Sequence, residues 1–172
     1  MSVVQLVFAH SNGAFGNGSK LPWNHCSEDM KFFQTVTVDT ITVMGKATWE
    51  SIGSKPLPNR VNVVLSNSTV AGADLTMIGT LRGVIKTLKT MYPNKTISII
   101  GGLSLIKEAV GIADVVYMTE LHPYLPLQAT HYVQDAVDAI NAQYKLVMSS
   151  DVRLQHKDIR SLTFLHFHKC SK

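Results

Sequence analysis

Short β-rich runs alternate with helical stretches along the chain, and this alternation restricts the fold more than any other feature. Strands are expected at 3–9, 39–44, 60–65, 96–100, 113–119, 143–149 and 160–168, and helices at 28–37, 46–52, 80–91, 102–110 and 134–141. This order is typical of an open, mostly parallel α/β sheet. The last two strands follow each other without a crossover helix, which predicts an antiparallel hairpin at one edge.

Length and composition indicate one globular domain over residues 1–172, and the order of its segments predicts a twisted sheet of about eight strands with flanking helices. No apolar run approaches the roughly 20 residues of a membrane span, and the first residues are expected to form a strand, not a signal peptide. Two distant cysteines, Cys26 and Cys170, indicate a reducing compartment and a cytoplasmic location. The net charge of +4 is scattered, so no nucleic-acid surface is expected.

Ligands of such sheets bind beyond the carboxyl ends of the strands. The segments that leave those ends are 9–24, 44–49, 66–67, 100–104 and 119–131, and the site is expected there. The seven histidines show no metal-ligand spacing with acids or thiols, so no metal centre is predicted.

A glycine and a lysine end one strand, at Gly45-Lys46. A nucleoside-triphosphate loop is excluded, because Thr40 stands where that loop needs glycine and Ala47 where it needs a hydroxyl. A dinucleotide fingerprint beginning at Gly16 is excluded too, since Leu21 replaces its third glycine. Two interpretations remain: a phosphate site at the start of a helix, or a turn glycine beside a solvated lysine.

Two further segments carry candidate site residues. The Gly-rich loop 11–24 is either a mobile surface connection or an active-site lid anchored by Phe15, Leu21 and Trp23. In the next helix, Ser27 is expected as the cap, and Met30 and Phe33 are expected to face the core. Asp29 then either complements the helix dipole or borders that apolar face as a partly desolvated carboxylate that binds ligand N–H groups.

Eight short motifs occur in a fixed order along about residues 3 to 132. They are FGNGSKLPWN, SEDMKFF, VMGKATWESIG, PLPNR, VVLSN, IIGGLSLI, VYMTEL and ATHY. Together they resemble the dihydrofolate reductase family, and the start and the FGNG loop are most similar to phage-type members. The resemblance implies NADPH-dependent reduction of 7,8-dihydrofolate to tetrahydrofolate, in the host cytoplasm if the chain is phage-encoded.

On the cofactor side, the resemblance implies that Lys46 contacts the 2′-phosphate of NADPH and that Thr48 lies at the pyrophosphate. Gly101 and Gly102 match a glycine pair, often joined by a cis peptide, beside the nicotinamide and pyrophosphate. The full set expected around NADPH is Phe8, Phe15, Gly16, Gly45, Lys46, Ala47, Thr48, Leu65, Ser66, Gly101, Gly102, Leu103, Ser104 and Leu105.

On the substrate side, the resemblance implies that Asp29 binds the 2-amino and N3 groups of the pterin with Thr119 as its companion. Arg60 matches the arginine that pairs with the α-carboxylate of the glutamyl tail. The remaining expected contacts are ring walls from Phe33, Ile52 and Leu57, carbonyls of Leu6 and Ile100, a water-bearing edge at Trp23 and a lid residue, Leu21.

Two other functions stay open for this sequence. One is a related NADPH reductase that acts on a pyrimidine of the flavin pathway, which would not need Arg60 or the Asp29–Thr119 pair. The other is a non-catalytic nucleotide-binding protein that reuses the fold. For the reductase, we expect dihydrofolate as the partner, no nucleic acid or membrane, and a monomer, with a dimer left open.

Overall fold

The structure is a computed structural model that describes residues 1–171. Lys172, the last residue of the expected domain, lies outside the described residues. The strands are β1 (Val4–His10), β2 (Ala14–Gly16), β3 (Ile41–Gly45), β4 (Val61–Leu65), β5 (Leu75–Met77), β6 (Ile97–Gly101), β7 (Val115–Pro123), β8 (His131–Tyr132), β9 (Tyr144–Arg153) and β10 (Ile159–Lys169). The helices are α1 (Ser27–Thr37), α2 (Lys46–Ser51), α3 (Leu81–Met91), α4 (Leu103–Ala109) and α5 (Gln134–Gln143).

Eight of the strands described between residues 1 and 171 form one sheet in the order β5-β4-β3-β6-β1-β7-β10-β9. Neighbouring strands from β5 to β7 pair in parallel. β10 pairs antiparallel with both β7 and β9. The predicted mostly parallel sheet and its antiparallel hairpin at the C-terminal edge are therefore confirmed.

The central parallel strands are buried on both faces, as their continuous apolar sequences require. Ile41, Val43, Ile97 and Ile99 are all inaccessible to solvent. Helix α3 covers one face with residues spaced three or four apart, Leu81, Val84, Ile85 and Leu88. This core holds the strand ends rigidly, which matters because the candidate site lies at those ends.

Three short strands were not expected from the sequence. β5 is the eighth strand of the main sheet and pairs with β4, whereas β2 and β8 form a separate two-stranded sheet. Each has only two or three residues, too few for an alternating pattern to be recognised. Their pairing depends on contacts between distant parts of the chain.

No helix among residues 1–171 has the length and apolar character that would let it cross a membrane. Both cysteines are free thiols, Cys26 buried and Cys170 exposed.

Candidate active site

The sheet opens between β1 and β6 at the carboxyl ends of the strands. Their register pairs Leu6 with Ile99 and then stops, whereas β1 continues to pair with β7 as far as His10. The register between β3 and β6 also shifts at this level and passes over Ile100. Leu6 and Ile100, whose carbonyls are expected to face a ligand ring, thus lie where the regular hydrogen-bonded ladder is interrupted.

Asp29 lies in the first turn of α1, beside that opening. Burial raises the pKa of its carboxyl group, and a polar interaction with the Thr119 hydroxyl partly opposes the rise. Thr119 is itself buried on β7. The structure therefore brings together the acid and the threonine that the sequence paired, and no lysine or arginine among the described residues forms a salt bridge with this acid.

Helix α1 begins one residue earlier than predicted. Its N-cap is Cys26, which makes no side-chain cap bond, and the Ser27 hydroxyl donates to the Glu28 carboxylate at 3.2 Å. The prediction that Ser27 caps the helix is therefore wrong. Cys26 is buried against Trp23 and Ile159, and burial of this side chain outweighs a capping preference of about 1 kcal/mol.

The prediction that Met30 faces the core is also wrong, since its side chain is 47% exposed. Phe32 packs against the sheet instead, with its ring 4.4 Å from the ring of Phe164 and 6.0 Å from that of Tyr117. The spacing of Met30 and Phe33 predicted one buried face of the helix with both residues. The face that packs on the sheet is instead the one that carries Phe32. Phe33 remains half-buried, with its ring directed toward Arg60.

Arg60 directly precedes β4 and faces Phe33, which lies one turn of α1 after Asp29, and we call the surface from Asp29 to Arg60 the cleft. Its guanidinium carbon is 5.9 Å from the centroid of the Phe33 ring, and its buried Nε has no hydrogen-bond partner. Burial lowers the pKa of this guanidinium, although arginine stays charged at any physiological pH. A planar cation with free donors is suited to a ligand carboxylate, which can accept two parallel hydrogen bonds.

An apolar wall is present on the same side of the sheet. Ile52, Leu57 and Ile100 are half-buried against a cluster formed by Met44, Trp49 and Val64. Ile52 and Leu57, which the resemblance implied as walls around the ligand rings, thus keep part of their apolar surface exposed.

A second surface is built from glycines at the ends of β3 and β6. A Cβ at Gly102 would lie 3.2 Å from the Thr48 hydroxyl, and one at Gly45 would lie 3.8 Å from the Gly102 nitrogen. Gly101 has φ +127 and is joined to Gly102 by a cis peptide, as the resemblance implied. These glycines leave backbone accessible where side chains would fill the space.

Other residues predicted near the cofactor surround these glycines in different ways. Lys46, Ala47 and Ser104 are exposed. Phe15, Leu65 and Leu103 are half-buried against the main core, and Ser66 is half-buried at the end of β4 with its hydroxyl accepting from the Ser68 N–H. Phe8 and Leu105 are buried in the core, so any contact from Leu105 would come from its backbone.

The loop 11–24 is hydrogen-bonded to Thr130 near its middle. Thr130 donates its N–H to the Gly16 carbonyl at 2.8 Å, and its hydroxyl accepts from the Gly18 N–H at 2.7 Å. Trp23 is buried, whereas Leu21 is 53% exposed. The lid stays a prediction, which the exposed apolar side chain of Leu21 supports.

Sequence reasoning missed two residues that organise these surfaces. His10 is buried and accepts the Gly13 N–H on Nδ1 at the base of the lid; burial, with a smaller effect of His122, lowers its pKa to about 4. Asn62 is buried beneath the loop that carries Arg60. Neither residue stands at a motif position with an expected ligand role. Their roles are therefore visible only in the contacts of the folded protein.

Comparison with known proteins agrees with this geometry. The family model for dihydrofolate reductase matches residues 2–169. A type A10 dihydrofolate reductase of Escherichia coli is 33% identical over 147 residues, which cover 82% of this chain and 76% of the relative. A dihydrofolate reductase of Buchnera aphidicola is 32% identical over 121 residues, covering 70% of this chain and 73% of the relative.

A solved structure shares the fold. It is the dihydrofolate reductase from Enterococcus faecalis in complex with NADP(H) and RAB-propyl, with a TM-score of 0.83, 24% identity, and coverage of 98% of this chain and 97% of that one. The family model spans nearly the whole chain, and the two relatives exceed 30% identity over most of it. The chain therefore belongs to the dihydrofolate reductase family.

Proposed function

We propose that Asp29, Thr119 and Arg60 hold 7,8-dihydrofolate in the NADPH-dependent reduction that membership of the dihydrofolate reductase family assigns to this protein. The observation that carries these roles is the Asp29 carboxylate, which is desolvated, faces Thr119 and has no cationic partner among the described residues. A buried carboxylate without a cation needs donors, and the 2-amino and N3 groups of a pterin supply them.

Asp29 polarises the pterin ring in this proposal. Bound NADPH would supply the hydride for pterin C6, and N5 would take up a proton, while Asp29 holds the ring. Glu120 follows Thr119 in β7 but is directed toward His10, with 3.7 Å between its Oε1 and the histidine Nε2. Of these two acids only Asp29 meets Thr119, and the burial that raises its pKa favours a ligand that donates N–H groups to the carboxylate.

Arg60 binds the α-carboxylate of the glutamyl tail. Its free guanidinium donors and its position across Phe33 support this role. Phe33, Ile52 and Leu57 then contact the rings between the two charged ends, and the carbonyls of Leu6 and Ile100 face the pterin at the split in the sheet.

The glycine surface fits NADPH. Gly45 and Gly102 are the N-caps of α2 and α4 and offer no capping side chain. First-turn N–H groups of both helices are therefore available to phosphate oxygens. Thr48 supports the same surface through its hydroxyl, and exposed Lys46 is free to reach a 2′-phosphate.

The lid completes the site. The exposed Leu21 closes over the nicotinamide. Trp23 borders the edge of the site that holds water. Closure removes water from between the two reacting rings, which favours hydride transfer at short distance. The protein acts as a monomer in the cytoplasm, a location that its two free thiols support.

Absorbance of NADPH tests the proposed function. With dihydrofolate present the absorbance at 340 nm should fall steadily, and without it the signal should stay constant. Oxidation of NADPH with a flavin-pathway pyrimidine, but not with dihydrofolate, would favour the related reductase. No oxidation with either substrate would leave a nucleotide-binding protein.

A further inference from the structure

We propose that Asn62, a buried residue of β4, is a positioning residue that anchors the backbone of the 57–60 loop and so holds Arg60 where it binds the glutamyl tail of the substrate. This inference rests on the function proposed above for Arg60. Asn62 is not itself expected to touch dihydrofolate, because its side chain is fully buried, with 0% exposure.

The amide of Asn62 binds the backbone of the 57–60 loop at three points. Its Oδ1 accepts the Leu57 N–H at 2.8 Å, and its Nδ2 donates to the Leu57 carbonyl at 3.0 Å and to the Arg60 carbonyl at 3.2 Å. One side chain thus satisfies both backbone groups of Leu57, as a neighbouring strand would. The bond to the Arg60 carbonyl also fixes the backbone from which the guanidinium extends.

Asp74 sets the orientation of this amide. Its Oδ2 accepts from the backbone N–H of Asn62 at 2.7 Å and from Nδ2 at 3.3 Å. The Asp74 N–H donates in return to the Asn62 carbonyl at 3.0 Å. Because an ionised carboxylate only accepts hydrogen bonds, it selects the rotamer in which Nδ2 points toward Asp74 and Oδ1 toward the Leu57 N–H.

Arg60 depends on this backbone support because its side chain makes few contacts of its own. Its Nε has no partner, and no carboxylate within residues 1–171 forms a salt bridge with its guanidinium. The contact with Phe33, at 5.9 Å, is near the outer limit of about 6 Å for a cation over a ring. The backbone therefore decides where the guanidinium can reach, and a preorganised fork binds a carboxylate at lower entropic cost.

Kinetics of Asn62→Ala test the proposal. KM for dihydrofolate should rise roughly tenfold, the effect of losing buried hydrogen bonds at a binding loop. kcat should change by less than about threefold, because tail binding is similar in the ground and transition states. For a 7,8-dihydropterin without the glutamyl tail, KM should change by less than about twofold.

A double-mutant cycle separates positioning from general support of the fold. If Asn62 acts through Arg60, Asn62→Ala should add less than about twofold to KM in an Arg60→Leu background. Ser98→Ala is the matched control. Ser98 is equally buried and pairs with the same residue of β3 as Asn62 does, but its hydrogen bonds go to Gln5 and Thr40 and not to the 57–60 loop, so this variant should lose stability without a change in KM.

Asp74→Asn keeps the proposal testable if Asn62→Ala does not fold. It should raise KM for dihydrofolate by about threefold through a less defined Asn62 rotamer, with kcat unchanged.

Equal KM increases for both substrates, or a full additional increase in the Arg60→Leu background, would overturn the inference. An Arg60→Leu variant with unchanged KM would instead refute the proposed role of Arg60, and the role of Asn62 with it.

Discussion

Asp29 and Arg60, the two charged ends of the cleft, are both desolvated, but different parts of the fold hold them in place. Burial raises the pKa of Asp29 and lowers the pKa of Arg60, so at each end the protein disfavours the charged form when no ligand is present. Asp29 belongs to a helix and faces a buried strand residue, Thr119. Arg60 belongs to a loop whose backbone is hydrogen-bonded to Asn62.

This difference assigns different tasks to the two ends. A helix packed on a sheet fixes an acid within tenths of an ångström, as polarisation of a reacting ring requires. A supported loop is sufficient for recognition of a tail that does not change during the reaction. The Asp29 end should therefore control kcat, and the Arg60 end should control KM.

The largest effect is expected for Asp29→Asn. At neutral pH it should lower the rate of dihydrofolate reduction by about 10²–10⁴-fold, typical for loss of one positioned acid–base group. NADPH binding should persist, and the residual rate should increase as pH falls and solvent protonates N5 directly. Steady-state rates across a pH series measure this, and a variant within threefold of the unmodified protein at pH 7 would remove Asp29 from the mechanism.

Arg60→Leu should produce a smaller effect that is confined to binding. Loss of a charge-assisted pair costs about 1.5–3 kcal/mol, so KM for dihydrofolate should increase roughly 10- to 150-fold while kcat stays nearly constant. Arg60→Lys should recover only part of the loss, because an ammonium cannot form two parallel hydrogen bonds. A change in kcat as large as that in KM would contradict the division of tasks.

Lys46 extends the comparison to an exposed charge on the cofactor side. Lys46→Ala should lower the preference for NADPH over NADH by roughly tenfold, the low end for a charge-assisted contact. Salt should reduce this loss, because an exposed phosphate–ammonium pair is screened. The measurement is kcat/KM for both cofactors at low and high salt. Equal losses for the two cofactors would place Lys46 at the pyrophosphate or in support of the fold.

The smallest effect should appear in stability. The folded-state pKa of Asp29 lies above its ordinary value of 3.8, so its contribution to stability is fully present below that value and is lost as pH rises through the raised pKa. Desolvation of the Asp29 carboxyl group therefore makes the free protein less stable above the raised pKa than in acid. Asp29→Asn should increase the free energy of unfolding at pH 7, with a smaller gain in acid, as urea titrations at the two pH values would show. A decrease at pH 7 would contradict the assigned desolvation.

The predictable features of this molecule were those encoded in local patterns. Runs such as those around Val43 and Ile99 predicted the buried parallel strands, because strands covered on both faces are mainly apolar and β-branched. Motif order identified Asp29 and Arg60 as candidates, and the structure places Asp29 with Thr119 and Arg60 across from Phe33.

The features that were missed depend on contacts between distant residues. Ser27 has the right chemistry for a cap, but burial of Cys26 against Ile159 starts the helix earlier. Spacing suggested that Met30 is buried, yet Phe32 is the residue that packs on Phe164. Asn62 is an exception, since Leu57 and Arg60 are only five and two residues away in the sequence, but an asparagine at this position has no pattern that reveals its hydrogen bonds.

The most direct test of the two-ended cleft compares two variants with two substrates. The ratio of kcat/KM for dihydrofolate to that for a 7,8-dihydropterin without the glutamyl tail would be measured for the unmodified protein, Asp29→Asn and Arg60→Leu. Asp29→Asn should lower both values equally and leave the ratio unchanged, whereas Arg60→Leu should lower the ratio roughly 10- to 150-fold. A ratio that changes in Asp29→Asn, or stays constant in Arg60→Leu, would contradict the account.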